Sequence, residues 1–146
     1  MSTANPSSSL EVSRAFETDP ASLFSAWSDP EAIGAWFAPS DEHELTVHEW
    51  DFRPQGAYRI EWKHSAGSVH VVGGQFSEID EPRGLGFTWV WEQEAGVETR
   101  VTVTIEEGEK GSLLRLRHVT FPTREESDSH EKGWNGCLDR LARYLA

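Results

Sequence analysis

Hydrophobic and polar residues alternate near the start of the chain, and the pattern then becomes helical. Leu10 and Val12 fall on one face of the segment Leu10–Phe16, which predicts a first strand. Asp19 and Asp29 each precede a proline, so each can accept a hydrogen bond at the N-terminus of a helix that begins with that proline. These pairs predict two short helices, at about Pro20–Ser28 and Pro30–Phe37.

From Glu44 to Val119 the apolar residues recur with a period of two. Breaks rich in Gly, Pro, Asp and Glu divide this region into six predicted strands, at about Glu44–Phe52, Ala57–Lys63, Ser68–Ile79, Leu85–Trp91, Glu98–Glu107 and Leu113–Val119. Because the connections are short, consecutive strands should pair antiparallel. One face of the strands is apolar and the other is charged, so we expect a sheet that is covered on one side only.

The C-terminal segment is predicted to be the covering helix. Thr123 to Glu126 fits a capping box, the pattern that starts many helices. Apolar residues then recur at helical spacing at Trp134, Cys137, Leu138, Leu141 and Leu145. Gly133 and Gly136 weaken this helix, so we expect another segment to approach it closely there.

Composition and charge are consistent with a single domain. The chain has 146 residues, and 13 basic against 25 acidic side chains give a formal net charge of −12, which argues against nucleic acid and anionic membranes as partners. Residues 1–9 are polar and rich in serine, so we expect a disordered tail before one domain at residues 10–146. The single cysteine and the lack of a signal peptide or of an apolar run of about 20 residues suggest a cytoplasmic protein.

Several motifs follow one another in an order typical of a known family. They are Asp19–Trp27, Asp29–Glu31, Trp36–Pro39, Asp51–Arg59, Gly74–Ile79, Leu85–Trp89, Leu114–His118, Gly133–Trp134 and Leu138–Leu141. On these motifs the chain resembles the START-like (SRPBCC) helix-grip superfamily, and within it the activator of heat-shock protein 90 ATPase homologue-like family, over about Leu10 to Ala146. Gln55 departs from the family pattern, which often has a second glycine there. The resemblance implies an α+β fold of order β-α-α-β6-α, in which a curved seven-stranded antiparallel sheet surrounds a long C-terminal helix.

The chain is unusually rich in large aromatic residues, which suggests a ligand cavity. We expect a small hydrophobic or amphipathic ligand, such as a lipid, between the concave sheet and the last helix. The expected cavity residues are Trp27, Trp36, Trp50, Tyr58, Trp62, His70, Phe76, Phe87, Trp89, Trp91, His118, Trp134 and Leu138. Alternatively, the rings only fill the core and the histidines are satisfied core or rim residues. An empty cavity of ~300 Å³ would cost ~7 kcal/mol, so a real cavity should be wet, occupied or partly closed by rings.

Other functions remain open from the sequence. The family resemblance implies a second possibility, a module that binds a chaperone and activates its ATPase. A third is a cyclase or hydrolase that uses His70 or His118 together with a carboxylate. No metal-binding motif is found, and Cys137 falls on the apolar face of the last helix, so we expect no metal, no cofactor and no thiol chemistry. The pattern allows a monomer or a homodimer.

Overall fold

The computed structural model of the protein describes residues 8–146. Within this range lie β1 (Ser8–Phe16), α1 (Pro20–Ser28), α2 (Pro30–Trp36), β2 (His43–Trp50), β3 (Ala57–His64), β4 (Val69–Asp80), β5 (Gly84–Trp91), β6 (Thr99–Gly108), β7 (Gly111–Phe121) and α3 (Arg124–Leu145). A short 3-10 turn at Glu92–Glu94 follows β5. The predicted order of elements is therefore confirmed. Most of the predicted tail lies outside the described residues, but Ser8 and Ser9 belong to β1 and not to a tail.

The strands form one curved antiparallel sheet in the order β1-β7-β6-β5-β4-β3-β2. Strands β2 to β7 pair with their neighbours in the chain, as the short connections predict. The first strand instead pairs with the last, with Val12 opposite Leu116. The α+β helix-grip class expected from the sequence is confirmed, and α3 packs on the concave side of the sheet.

Side-chain caps start each helix where the sequence predicts them. The carboxylate of Asp19 accepts a hydrogen bond from the backbone N–H of Ser22, and that of Asp29 accepts one from the N–H of Glu31 at 3.0 Å. The hydroxyl of Thr123 accepts one from the backbone N–H of Glu126 at 3.1 Å. Each bond satisfies a backbone donor that lacks a partner within its own helix, and so fixes the residue at which the helix begins.

Tryptophan side chains attach the α1–α2 unit to one end of the sheet. The indole N–H of Trp50, on β2, donates to the carbonyl of Trp27 at 3.0 Å. On β3, Trp62 donates to the carbonyl of Phe37 at 2.8 Å. The ring of Phe37 is fully buried and lies within about 6 Å of several indoles, so this end of the interior is filled by packed aromatic rings.

Helix α3 approaches the segment that follows α2 very closely. A Cβ atom on Gly136 would lie 1.9 Å from the carbonyl oxygen of Pro39, so only glycine fits there. The expected close approach therefore occurs at Gly136, whereas at Gly133 the nearest atom would be an ordinary 3.8 Å away. One turn after Gly136, Arg140 donates to the carbonyl of Trp36 at 3.1 Å and to that of Ala35 at 3.2 Å. The guanidinium of Arg140 therefore supplies hydrogen-bond donors to carbonyl groups at the C-terminal end of α2. Through Gly136, α3 also packs directly against the backbone of Pro39.

Candidate functional site

A cavity of about 370 Å³ lies between the first half of α3 and one end of the sheet. Its walls come from strands β2 to β5, the 3-10 turn, the segment after α2, and α3. The lining residues are Pro39, His43, Trp62, His70, Trp89, Trp91, Gln93, Glu94, Ser129, His130, Gly133, Trp134 and Cys137. The volume is within the range that small-molecule sites occupy in other proteins.

The floor of the cavity is made of buried indole rings. Trp89 and Trp134 are each 3% exposed, and their ring centroids are 5.3 Å apart. Trp62 is also buried, and it lies 5.7 Å from the half-buried ring of Trp91. Cys137 lies beside them, and burial raises the pKa of its thiol, so it is an inert apolar group here. The floor is therefore a continuous apolar surface.

The indole N–H of Trp89 is an exception among these rings. It is buried and has no hydrogen-bond partner among the described residues, whereas the N–H groups of Trp62, Trp91 and Trp134 are all paired. A buried donor without a partner costs about 1–3 kcal/mol relative to a satisfied one. The unpaired N–H of Trp89 therefore lowers the stability of the folded protein at the cavity floor.

His130 connects α3 to β5 at the side of the cavity. Its Nδ1–H donates to the carbonyl of Glu126 at 2.8 Å, one turn earlier in α3, and its Nε2 accepts from the indole N–H of Trp91 at 2.9 Å. The bond from Trp91 requires the neutral imidazole, because a protonated ring could not accept it, and the bond to Glu126 places the remaining proton on Nδ1. Burial lowers the pKa of His130, which agrees with this arrangement. The pair fixes the orientation of Trp91.

His118 lies behind the floor and not in the cavity. Its Nδ1 accepts from the indole N–H of Trp134 at 3.0 Å. The hydroxyl of Thr99 donates to the carbonyl of Trp89, so it accepts from Nε2–H of His118 at 2.7 Å. Burial, followed by the nearby imidazole of His130, lowers the pKa of His118 to about 2. His118 is thus a neutral, fully paired bridge that joins α3, β7, β6 and β5.

The rim of the cavity carries polar groups that can reach a ligand. His70 is exposed, and its Nδ1 lies 3.3 Å from the side-chain nitrogen of Gln93. His43 is half-buried, with Nδ1 2.8 Å from the hydroxyl of Ser40. Burial, followed by the neighbouring His64 and His70, lowers the pKa of His43. The Nε2 atoms of His43 and His70 have no hydrogen-bond partner among the described residues, so they are available to a bound molecule.

The structure separates the residues that the sequence placed in the cavity. Trp62, His70, Trp89, Trp91 and Trp134 line it. Trp27, Trp36, Trp50, Tyr58, Phe76, Phe87, Leu138 and His118 do not; all are buried away from it. Trp50, Tyr58, Phe76 and Phe87 face inward from their strands, but at the end of the interior that α1 and α2 fill. His118 instead lies behind the cavity floor. For these residues the geometry favours the alternative interpretation, in which the rings fill the core.

Sequence reasoning missed several lining residues. His130 precedes Trp134 by one helical turn, and His43 precedes Leu45 by two positions in a strand, so each shares a face with an apolar residue and could have been found. Gln93 and Glu94 lie in the 3-10 turn, where no periodic pattern exists.

Among residues 8–146 no group of three or more His, Cys, Asp or Glu side chains is arranged to hold a metal ion. In the same range no helix is long and apolar enough to cross a membrane.

Comparison with known proteins identifies relatives of this fold. A family model described as activator of Hsp90 ATPase homolog 1-like protein matches residues 17–146. A crystal structure of a protein from Chromobacterium violaceum is similar with a TM-score of 0.85 and 24% identity, over 92% of this chain and 95% of that chain. The AHSA1 protein from Silicibacter pomeroyi is similar with a TM-score of 0.84 and 30% identity, over 94% of this chain and 97% of that chain. The curated proteins include no match to this chain.

Proposed function

The chain belongs to the activator of Hsp90 ATPase homolog 1-like family, and from this premise we propose that it reversibly binds a small amphipathic molecule in the cavity beside α3. The observation that carries the proposal is the open cavity of about 370 Å³ with an indole floor and imidazole groups at its rim. An apolar pocket with a few polar groups at its edge is the usual form of a small-molecule site. The ligand's apolar part would lie on the indoles, and its polar part would reach the imidazoles of His43 and His70.

Burial of the ligand's apolar surface supplies the affinity. An aromatic group that buries ~200 Å² would gain ~5 kcal/mol at ~25 cal/mol per Å². Association consumes much of this gain, because the ligand loses translational and rotational freedom. For a ligand of about 17 non-hydrogen atoms, about 0.3 kcal/mol per atom corresponds to ~5 kcal/mol, so we expect a dissociation constant on the order of 0.1–1 mM unless further polar contacts form.

The surface of the protein favours this function over a chaperone-binding module. Among residues 8–146 the exposed large hydrophobic side chains are Val69, on β4, and Tyr144, near the end of α3. Two single residues on different elements do not form the apolar patch that marks many protein-binding faces.

We also propose a cytoplasmic location, since Cys137 is free and buried, as expected in a reducing compartment.

The binding proposal can be tested with N-phenyl-1-naphthylamine, a neutral probe that fluoresces in apolar surroundings. We expect saturable binding to the wild-type protein. Gly133 lines the cavity, and the nearest atom to a Cβ built there is Cβ of Pro39 at 3.8 Å, an ordinary contact. Gly133→Leu should therefore place a side chain in the cavity and weaken probe binding at least tenfold.

Gly133→Ala is the matched control, because it changes helix propensity in the same direction but adds only one methyl group. It should bind the probe within about twofold of wild type. Thermal unfolding of all three proteins would show that each is folded. Binding that does not saturate, or equal binding by Gly133→Leu and wild type, would refute the proposed site.

A further inference from the structure

The charges around the cavity point to the class of ligand. A side pocket of about 50 Å³ adjoins the cavity and shares Trp89, Trp91, Glu94 and His130 with it. Val97, Thr99, Phe121 and Glu126 complete its lining. Of the described residues that line the two spaces, none is lysine or arginine, whereas two are glutamates. An anionic head group would therefore meet no positive partner here.

The two glutamates are also free to act on a ligand. Neither Glu94 nor Glu126 forms a salt bridge with a described residue. By contrast, Glu92, at the start of the same 3-10 turn as Glu94, is paired with Arg59 at 2.6 Å. Their charge is therefore not cancelled locally. The formal net charge of −12 adds a long-range attraction for cations.

The aromatic lining of the cavity also favours a cationic ligand. The faces of indole rings carry partial negative charge, and a cation within about 6 Å of a ring centroid is attracted to it. Four indoles line the cavity, at Trp62, Trp89, Trp91 and Trp134, and the phenyl ring of Phe121 lines the side pocket. The imidazoles of His130 and His43 do not oppose this attraction: His130 accepts from Trp91 in its neutral form, and burial lowers the pKa of both.

We propose that the ligand is an organic cation, a quaternary ammonium or protonated amine on an aromatic or alicyclic body, held between the indoles and the carboxylates of Glu94 and Glu126. This inference rests on the proposed binding function and narrows it. It also predicts discrimination against fatty acids and phosphorylated lipids, since their anionic head groups would face two carboxylates. The shape of the apolar body is set by the cavity, and the sign of the charge is set by these two side chains.

A pair of isosteric compounds separates the cationic preference from simple hydrophobic binding. Benzyltrimethylammonium and neopentylbenzene have nearly the same shape, but only the first is charged. Both would be titrated as competitors against bound N-phenyl-1-naphthylamine. A purely apolar cavity prefers the neutral compound, because burial of a charge is unfavourable. We expect the reverse, with the cation binding about fivefold more tightly or better.

Variants of the two glutamates identify the source of the preference. Glu94→Gln and Glu126→Gln should each weaken binding of the cation about threefold more than they weaken binding of the neutral probe, so each affinity is compared with that of the probe for the same variant. Glu109→Gln, in the exposed turn between β6 and β7, is the control and should change neither. Preference for neopentylbenzene, failure of benzyltrimethylammonium to displace the probe, or identical behaviour of all three variants would overturn the cation proposal while probe binding stands. Absence of probe binding to the wild type would instead refute the proposed function itself.

Discussion

The carbonyl oxygen of Pro39 lies 1.9 Å from the point at which a Cβ atom on Gly136 would stand. At Gly133, one turn earlier, the same proline is the nearest neighbour, but a Cβ atom would be 3.8 Å from it. The two glycines of α3 therefore have different roles. Gly136 allows a backbone-to-backbone contact, whereas Gly133 leaves space that belongs to the cavity.

Alanine substitutions at these two glycines should have opposite effects on stability. Gly133→Ala should raise the free energy of unfolding by up to ~1 kcal/mol, because alanine favours the helix and meets no clash. Gly136→Ala gains the same propensity but forces α3 away from Pro39, and we expect a net loss of about 1–3 kcal/mol. Urea unfolding followed by circular dichroism would measure both. Equal effects of the two substitutions would show that the contact with Pro39 carries no energy.

Arg140 and Arg143 provide a second matched comparison on α3. Both pair with Asp41, but the Arg140 side chain is 18% exposed and also donates to two carbonyls at the end of α2, whereas that of Arg143 is 62% exposed. A lysine cannot reproduce the branched donor geometry, so Arg140→Lys should lower the free energy of unfolding by about 1–2 kcal/mol. Arg143→Lys should leave it unchanged within error. Similar losses in both variants would indicate that only the ion pair with Asp41 matters.

Paired and unpaired indoles on the cavity floor should respond differently to removal of the N–H group. Trp62→Phe leaves the carbonyl of Phe37 without its donor, whereas Trp89→Phe removes a donor that has no partner among the described residues. Both lose similar ring volume. We expect Trp62→Phe to be more destabilising than Trp89→Phe by about 1–2 kcal/mol. Equal losses in thermal unfolding experiments would contradict this difference.

Stability should fall as the pH is lowered from 7 to 5. The pKa of His118 is about 2 in the folded protein and near 6.5 in the unfolded chain, so below pH 6.5 only the unfolded chain takes up the proton. Protonation therefore favours unfolding, by about 2 kcal/mol at pH 5 from this residue alone. The lowered pKa values of His43 and His130 act in the same direction.

The pH range separates the histidines from the carboxylates. The pKa values of Asp19, Asp41 and Glu92 are also lowered, chiefly by side-chain hydrogen bonds, but carboxylates take up protons in the unfolded chain near and below pH 4 to 4.5. Urea unfolding between pH 5 and 7 should therefore report mainly on the histidines. His118→Gln should reduce the fall in the free energy of unfolding between pH 7 and pH 5 by about 2 kcal/mol. If the variant loses as much stability between pH 7 and pH 5 as the wild type, His118 is not the group that causes the pH dependence.

Local signals in the sequence were sufficient to predict the elements. The aspartates before Pro20 and Pro30 define the helix starts, because their carboxylates accept from backbone N–H groups two or three residues later. Strict alternation along β3 and β6 defines the strands in the same way. The pairing of β1 with β7 could not be predicted from such signals, since nothing in either strand specifies a partner so far away.

The cavity could be predicted only in part, because alternation gives the face of a residue but not its position along the strand. Tyr58 and Trp62 share the inward face of β3. Tyr58 packs against Trp50 and Phe76 in the filled end of the interior, with ring centroids 5.4 and 5.6 Å away, whereas Trp62 lines the cavity. The difference arises from where the α1–α2 unit ends, which depends on tertiary packing.

The pairing of β1 with β7 also bears on how the protein folds. Val12 finds its partner at Leu116, more than a hundred positions later, so β1 has no neighbour on the growing chain until β7 has left the ribosome. Closing so large a loop is entropically unfavourable and slow compared with forming the local hairpins between β2 and β7. We therefore infer that the hairpins assemble first and that the earliest strand to be synthesised is among the last to join the sheet.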